Sequence, residues 1–248
     1  MSQREIKYES ADGVAVITID RPAKRNALSG AMCDALHAAW QRFAASDQDR
    51  VAILTAAGND VFTAGADLND PPPRFWQAVP NVGVAVSKPI VAAVAGPVVG
   101  GGVTFVAMSD LCVAADNTRF IYPEAKVGIT GGVISSIVAR VPYKIAMELL
   151  LIGDAMDVAR AHQVGLVNRI VPAGEQVAVA KSIARTIAGN APLVVGLLKD
   201  IALKTIPRSP VEDMYLTQNA VERVRLSEDA KEGPLSFREK RKPNFRGR

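Results

Sequence analysis

The stretch Val98-Val99-Gly100-Gly101-Gly102-Val103-Thr104-Phe105-Val106-Ala107-Met108 sets three consecutive glycines at the mouth of an apolar helix. Just upstream, Lys88-Pro89 opens Ile90-Val91-Ala92-Ala93-Val94-Ala95, an unbroken apolar run that reads as a strand buried on both faces. Strand, glycines and helix in that order indicate an α/β unit. A helix start carries unpaired N–H groups and a partial positive charge. Glycine lets a ligand approach that backbone, because no Cβ intervenes. Such a place suits a phosphate, or the negative charge that develops on a carbonyl oxygen. GPVVGGGVTF contains neither GxGxxG nor a GxxxxGK run and holds no lysine, which speaks against phosphate. On the glycines alone, tight strand–helix packing explains them equally well.

A second segment of small residues, Ala64-Gly65-Ala66-Asp67-Leu68, follows a strand at Val51-Ala52-Ile53-Leu54-Thr55. Two bare backbone segments, each after a strand, can supply two converging N–H donors. Further strands are predicted at 14–19, 111–115 and 167–172, and a helix through Met32, Leu36, Trp40 and Phe43 with Ser29 as its cap. His37 falls on the opposite face of that helix and is expected in solvent. Asp70-Pro71-Pro72-Pro73 forbids regular structure and forms a stiff loop. A second glycine-to-helix entry at 128–132 leads to Ile134, Ile137, Val138 and Val141 on one helix face. From about Ala191 the pattern is all helical.

The 248 residues fit one large domain, or a core with a smaller appendage. No apolar run approaches the ~20 residues that cross a bilayer, and a soluble, cytoplasmic protein is expected. Cys33 and Cys112 lie apart in apolar patterns, and two histidines are too few to complete a zinc site with them. Neither a metal nor a cofactor is expected. The net charge of +4 is concentrated at the end, where residues 237–248 hold six Lys or Arg against one Glu. Alone, such a run is a solvated face, a contact for ligand phosphates or a nucleic-acid contact.

RPAKRNAL (21–28), VFTAGADL (61–68), KPIVAAVAGPVVGGG (88–102), YPEAKVGI (122–129), AHQVGLVNRIVP (161–172) and EKRKPNFRGR (239–248) together resemble the crotonase, or enoyl-CoA hydratase/isomerase, family. The resemblance runs from about residue 5 to the C-terminus. It implies a spiral of ββα units over residues 1–190 and a helical segment with a basic tail over 191–248, which assembles trimers or dimers of trimers. The implied substrate is an acyl-CoA thioester, with no nucleic acid or membrane partner. Its carbonyl oxygen is expected between the Ala66 and Gly101 N–H groups. Lys24, Arg25, Ala64 and Lys240 are expected to contact coenzyme A, and Thr104, Gly132 and Trp76 to line the acyl pocket.

The resemblance also singles out the base. Family hydratases use two glutamates; here the equivalent positions hold Thr104 and Glu124. A threonine hydroxyl is no general base near neutral pH, although it can orient a water. One carboxylate suffices to move a double bond. The expectation is therefore an enoyl-CoA isomerase with Glu124 as sole base, with a hydratase or related lyase as the alternative. A non-catalytic acyl-CoA or RNA-binding relative is a third reading. Read without the family, Glu124 is first of all an exposed surface residue beside Lys126, since glutamates are mostly exposed. Asp67 and Asp110 read as structural, Ser135 and Ser136 lack a nearby histidine in sequence, and His162 falls in no motif that carries chemistry.

Overall fold

The computed structural model of the protein describes residues 5–131, 133–205, 217 and 220–248. Six strands form the main sheet in the order β1 (Ile6–Ala11), β2 (Val14–Ile19), β3 (Val51–Ala56), β4 (Ile90–Val94), β6 (Leu111–Ala115) and β9 (Arg169–Val171). Only β1–β2 is antiparallel; the other pairs are parallel. A small second sheet holds β5 (Pro97–Val99), β7 (Arg119–Ile121) and β8 (Met156–Asp157).

Side chains alternate across a strand, so a strand with two apolar faces must be covered twice. Ile90, Ala92 and Val94 of β4 join the large core with Met32, Leu36, Trp40 and Phe43 of α1 (Gly30–Ala45). Val91 and Ala93 face the other way, onto the alanine stripe Ala180, Ala184 and Ala188 of a later helix. Ser29 caps α1 by accepting the Met32 N–H at 3.3 Å. His37 is not free in solvent: it is half-buried, and its Nδ1 lies 2.9 Å from the Gln77 carbonyl.

The chain winds as a spiral. Each turn lays one strand in the large sheet and the next in the small one. It runs β4, then β5, then α2 (Gly101–Ala107); the next turn runs β6, then β7, then α3 (Glu124–Val127). Successive turns stack in parallel, β4 on β6 and β5 on β7. The turn before them joins the stack through β3 and the isolated parallel bridge of Thr63 to Val98. Sequence separation between stacked residues is 98 − 63 = 35 at that bridge and 120 − 98 = 22 at Val98–Phe120. The unequal separations explain why no strict repeat is visible in the sequence.

Beyond α3 come short helices α4 (Ser135–Val138), α5 (Tyr143–Met147) and α6 (Val158–Gln163), then α7 (Gln176–Ala188), which carries the alanine stripe, α8 (Pro192–Thr205) and α9 (Glu228–Arg238). The expected helix through Val141 is shorter than its pattern, and Val138 is exposed. The α7 and α8 axes meet at 108°. On α8, Leu193, Val194, Leu197, Leu198 and Ile201 are exposed, while Lys199 turns inward to bond Asp110 and the Lys88 carbonyl, both at 2.8 Å. No single described helix is long and apolar enough to cross a membrane.

Gly96 joins β4 to β5 at φ +68°, and a Cβ there would run into the Asp60 carbonyl. Only glycine lets the 60–66 segment lie so close. Gly96→Ala is expected to lose about 2 kcal/mol or more of stability, from left-handed strain plus the backbone collision. Equilibrium denaturation measures it.

Candidate active site

The spiral brings three post-strand segments side by side. Ala66 stands three residues past Thr63, Gly101 three past Val98, and Pro123 three past Phe120, with Glu124 next. Hydrogen bonds tie the segments together. The Val99 N–H donates to the Thr63 carbonyl at 3.0 Å, and the Gly100 N–H to the Ile121 carbonyl at 2.8 Å.

The Ala66 amide is turned outward by its bridge to Leu28. In that parallel bridge the Leu28 N–H donates to the Gly65 carbonyl and the Asp67 N–H to the Leu28 carbonyl. The residue between them, Ala66, directs its own N–H away from Leu28. The Gly101 N–H stands at the first position of α2, where no intrahelical acceptor exists. Neither N–H has a partner among the described residues.

The three glycines have separate reasons. Gly100 adopts φ 54°, ψ −117°, a conformation open to glycine. A Cβ on Gly101 would enter the Phe75 ring, and one on Gly102 the Thr63 methyl. A Cβ on Gly65 would lie 3.3 Å from the Val99 carbonyl oxygen. The two loops therefore touch backbone to backbone.

Glu124 opens α3 and is half-buried. Burial raises its carboxyl above the usual range. Opposing that, the Thr130 and Tyr122 hydroxyls and the Gly131 N–H, at 3.2 Å from Oε2, hydrogen-bond to the carboxylate. Tyr122 is itself buried. The Phe75 ring that meets Gly101 also lies 3.6 Å from where a Gly131 Cβ would be. Gly101 and the loop that holds Glu124 thus face each other across one phenyl ring.

Thr104 is fully buried, and its hydroxyl is the one buried side-chain N or O atom among the described residues without a hydrogen-bond partner. It lies one turn after Gly101 on the same helix face. Lys24 and Arg25 are exposed on a turn directly beside the Ala66 segment, since the Ala64 N–H donates to the Arg25 carbonyl at 3.0 Å. Lys240 sits just past α9 and is exposed. Within the basic tail, Arg241 pairs with Glu232 and Glu239, and Arg248 with Glu228.

Trp76 and Phe75 both pack, partly buried, against the main core. Of the two, Phe75 meets Gly101 and Gly131. The expected pocket residue Gly132 lies outside the described residues. Sequence reading missed Tyr122 and Thr130 as partners of Glu124; the two-residue step from Tyr122 to Glu124 at a strand end was the only local signal. Asp67 orders its turn, accepting the Asn69 N–H at 3.0 Å and pairing with Arg21 at 2.7 Å. Asp110 accepts the Ile90 N–H at 2.7 Å and holds Lys199. Ser136 donates to the Val133 carbonyl at 2.7 Å.

Residues 9–248 match the sequence model of the enoyl-CoA hydratase/isomerase family. A carnitinyl-CoA dehydratase of Proteus mirabilis is 37% identical, with both chains fully covered. An enoyl-CoA hydratase of Mycobacterium tuberculosis is 35% identical over 94% of this chain and 93% of its own. The crystal structure of a carnitinyl-CoA hydratase from Mycobacterium avium superposes with a TM-score of 0.89 at 35% identity, covering 98% of this chain and 99% of that one.

A carboxyl whose folded pKa is raised binds its proton more tightly in the folded than in the unfolded state. Its contribution to stability is present below the unfolded carboxyl pKa and is lost as pH rises through the folded value. Glu124→Gln is therefore expected to stabilise the protein above that window, and the gain should vanish below about pH 4. Thermal melts of both proteins across pH test this.

Proposed function

The chain belongs to the enoyl-CoA hydratase/isomerase, or crotonase, family, and from that premise we propose that it adds water to, or removes it from, an acyl-CoA thioester. It is an enzyme acting on enoyl-CoA; the choice of hydration and dehydration is our reading. The full-length relatives named dehydratase and hydratase favour this over the isomerase that a single carboxylate suggests. What supports the site assignment is that Ala66, Gly101 and the Pro123-Glu124 pair follow stacked residues of three successive turns by three or four positions.

In the dehydrating direction, the Glu124 carboxylate takes a proton from C2. The electrons move to the thioester oxygen, where the Ala66 and Gly101 N–H groups hold the enolate. Each such donor contributes about 3 kcal/mol in the transition state. The C2–C3 double bond then forms as the C3–O bond breaks. Leaving hydroxide takes the proton from Glu124 and departs as water. One carboxylate performs both transfers when the C3 hydroxyl is on its side of the chain, so a second glutamate is not required. Partial burial makes Glu124 a stronger base than an exposed carboxylate.

The isomerase reading keeps one observation in its favour: Thr104 stands where a second carboxylate is expected. There Glu124 takes a proton from C2 of a 3-enoyl thioester and returns it at C4. A non-catalytic binder needs no partly buried base, and Glu124 argues against it.

Lys24 and Arg25 supply positive charge beside the Ala66 loop for the phosphates of coenzyme A, with Ala64 alongside. Lys240 of the basic tail adds to this charge. The exposed leucine and isoleucine face of α8 supports assembly through the segment after residue 190, as a trimer or a pair of trimers. The reaction uses no metal or cofactor beyond the thioester. Two free, buried cysteines fit a reducing cytoplasm.

Incubation with a 2-enoyl-CoA and a 3-enoyl-CoA, followed by chromatographic separation of the enoyl isomers and mass spectrometry, separates the readings. Hydration adds one water to the product mass; isomerisation changes the double bond without changing the mass. Turnover of the 3-enoyl thioester alone would replace the hydratase reading with the isomerase. Glu124→Gln is expected to lower kcat by about 10²–10⁴-fold while acyl-CoA binding, measured by calorimetry, changes little. Turnover within a few-fold of the parent would remove Glu124 from the mechanism.

A further inference from the structure

The side chain that closes the space between Gly101 and the Glu124 loop comes from residues 75–78, a short turn outside the motifs that carry the family resemblance. We propose that Phe75 sets acyl-chain selectivity, its ring walling the site so that short acyl-CoA thioesters fit and long ones do not. The inference rests on the reading of Ala66, Gly101 and Glu124 as the reacting site.

Three contacts place the ring. It fills the position of a Gly101 side chain, stands beside Gly131 and lies 5.3 Å, centroid to centroid, from Phe105. Gly101 and Phe105 are one helical turn apart, and Thr104 lies between them on the same face of α2. The ring therefore roofs the face that presents Thr104 and borders the loop whose amide holds the Glu124 carboxylate.

The turn beneath the ring is pinned. His37 Nδ1 lies 2.9 Å from the Gln77 carbonyl, and Trp40 Nε1 donates to the Ala78 carbonyl at 2.8 Å. On its other side the Gly83 backbone is so close to Gln77 that no side chain fits at Gly83. On the N-terminal side, Pro71, Pro72 and Pro73 restrict the chain, and the Pro73 ring lies 3.8 Å from where a Gly30 Cβ would be. With its backbone tied to α1, the turn cannot swing aside as a lid. Only rotation of the ring is left, and Gly101, Gly131 and Phe105 surround it. A fixed aromatic wall selects by size.

The test measures binding of butyryl-CoA and decanoyl-CoA by calorimetry to the full-length protein, Phe75→Ala and Phe75→Leu, alongside turnover of the matching 2-enoyl thioesters. The parent should favour the four-carbon ligand. Phe75→Ala should shift the decanoyl-to-butyryl affinity ratio, and the corresponding ratio of kcat/KM, by about tenfold or more, the scale of one or two methylenes in an apolar pocket. Phe75→Leu, which keeps an apolar side chain in place, should shift them in the same direction by less. Should Phe75→Ala fail to fold, the leucine variant decides alone. Parent and variants with the same chain-length ratio would overturn the proposal and leave the assigned chemistry intact. A parent that binds neither ligand would overturn both.

Discussion

The arrangement depends on backbone-to-backbone contact between two loops, residues 62–66 and 97–101, held in parallel by the Thr63–Val98 bridge. Gly65 and Val99 are in contact, and a Cβ on Gly100 would sit 3.9 Å from the Gly65 Cα. Side chains at these positions would force the turns apart. With the loops in register, the first free amide beyond each strand emerges at the same level. One amide is freed by bridge geometry and the other by its place at a helix start, so the two donors arise from different local causes.

Setting those donors beside a carboxylate requires a compromise. Burial makes Glu124 a better base by disfavouring its charged form, and Tyr122, Thr130 and the Gly131 amide keep the carboxylate in one orientation. An orphan hydroxyl costs about 1–3 kcal/mol when buried, yet Thr104 carries one close to the same helix start. Polar groups left unsatisfied in the protein are ready to be satisfied by a ligand or its water. The other buried side-chain N and O atoms among the described residues are paired; Lys199, inward on a largely exposed helix, meets both Asp110 and a backbone carbonyl.

Much of this was legible in the sequence, because the strongest signals were local. Apolar runs such as 90–94, the Ser29 cap and the glycine triplet each act within a few residues, and strands and helices there fall where the pattern places them. The short strands β5, β7 and β8 were not legible. They are two or three residues long and exist only because the spiral stacks one turn on the next. The unequal length of the turns hid that stacking. Ala66 and Gly101 were reachable only through the motifs AGADL and GGG, whose meaning came from the family. The contact of Phe75 with Gly101 was beyond reach, since aromatic residues in an irregular turn carry no period to say what each one meets.

The central claim is that two main-chain amides grip one thioester oxygen. Vibrational difference spectroscopy of butyryl-CoA labelled with ¹³C at the thioester carbonyl, free and bound, measures that grip directly. Two converging donors should polarise the carbonyl and lower its stretching frequency on binding. A carbonyl band that stays at its solution position in a saturated complex would contradict the account.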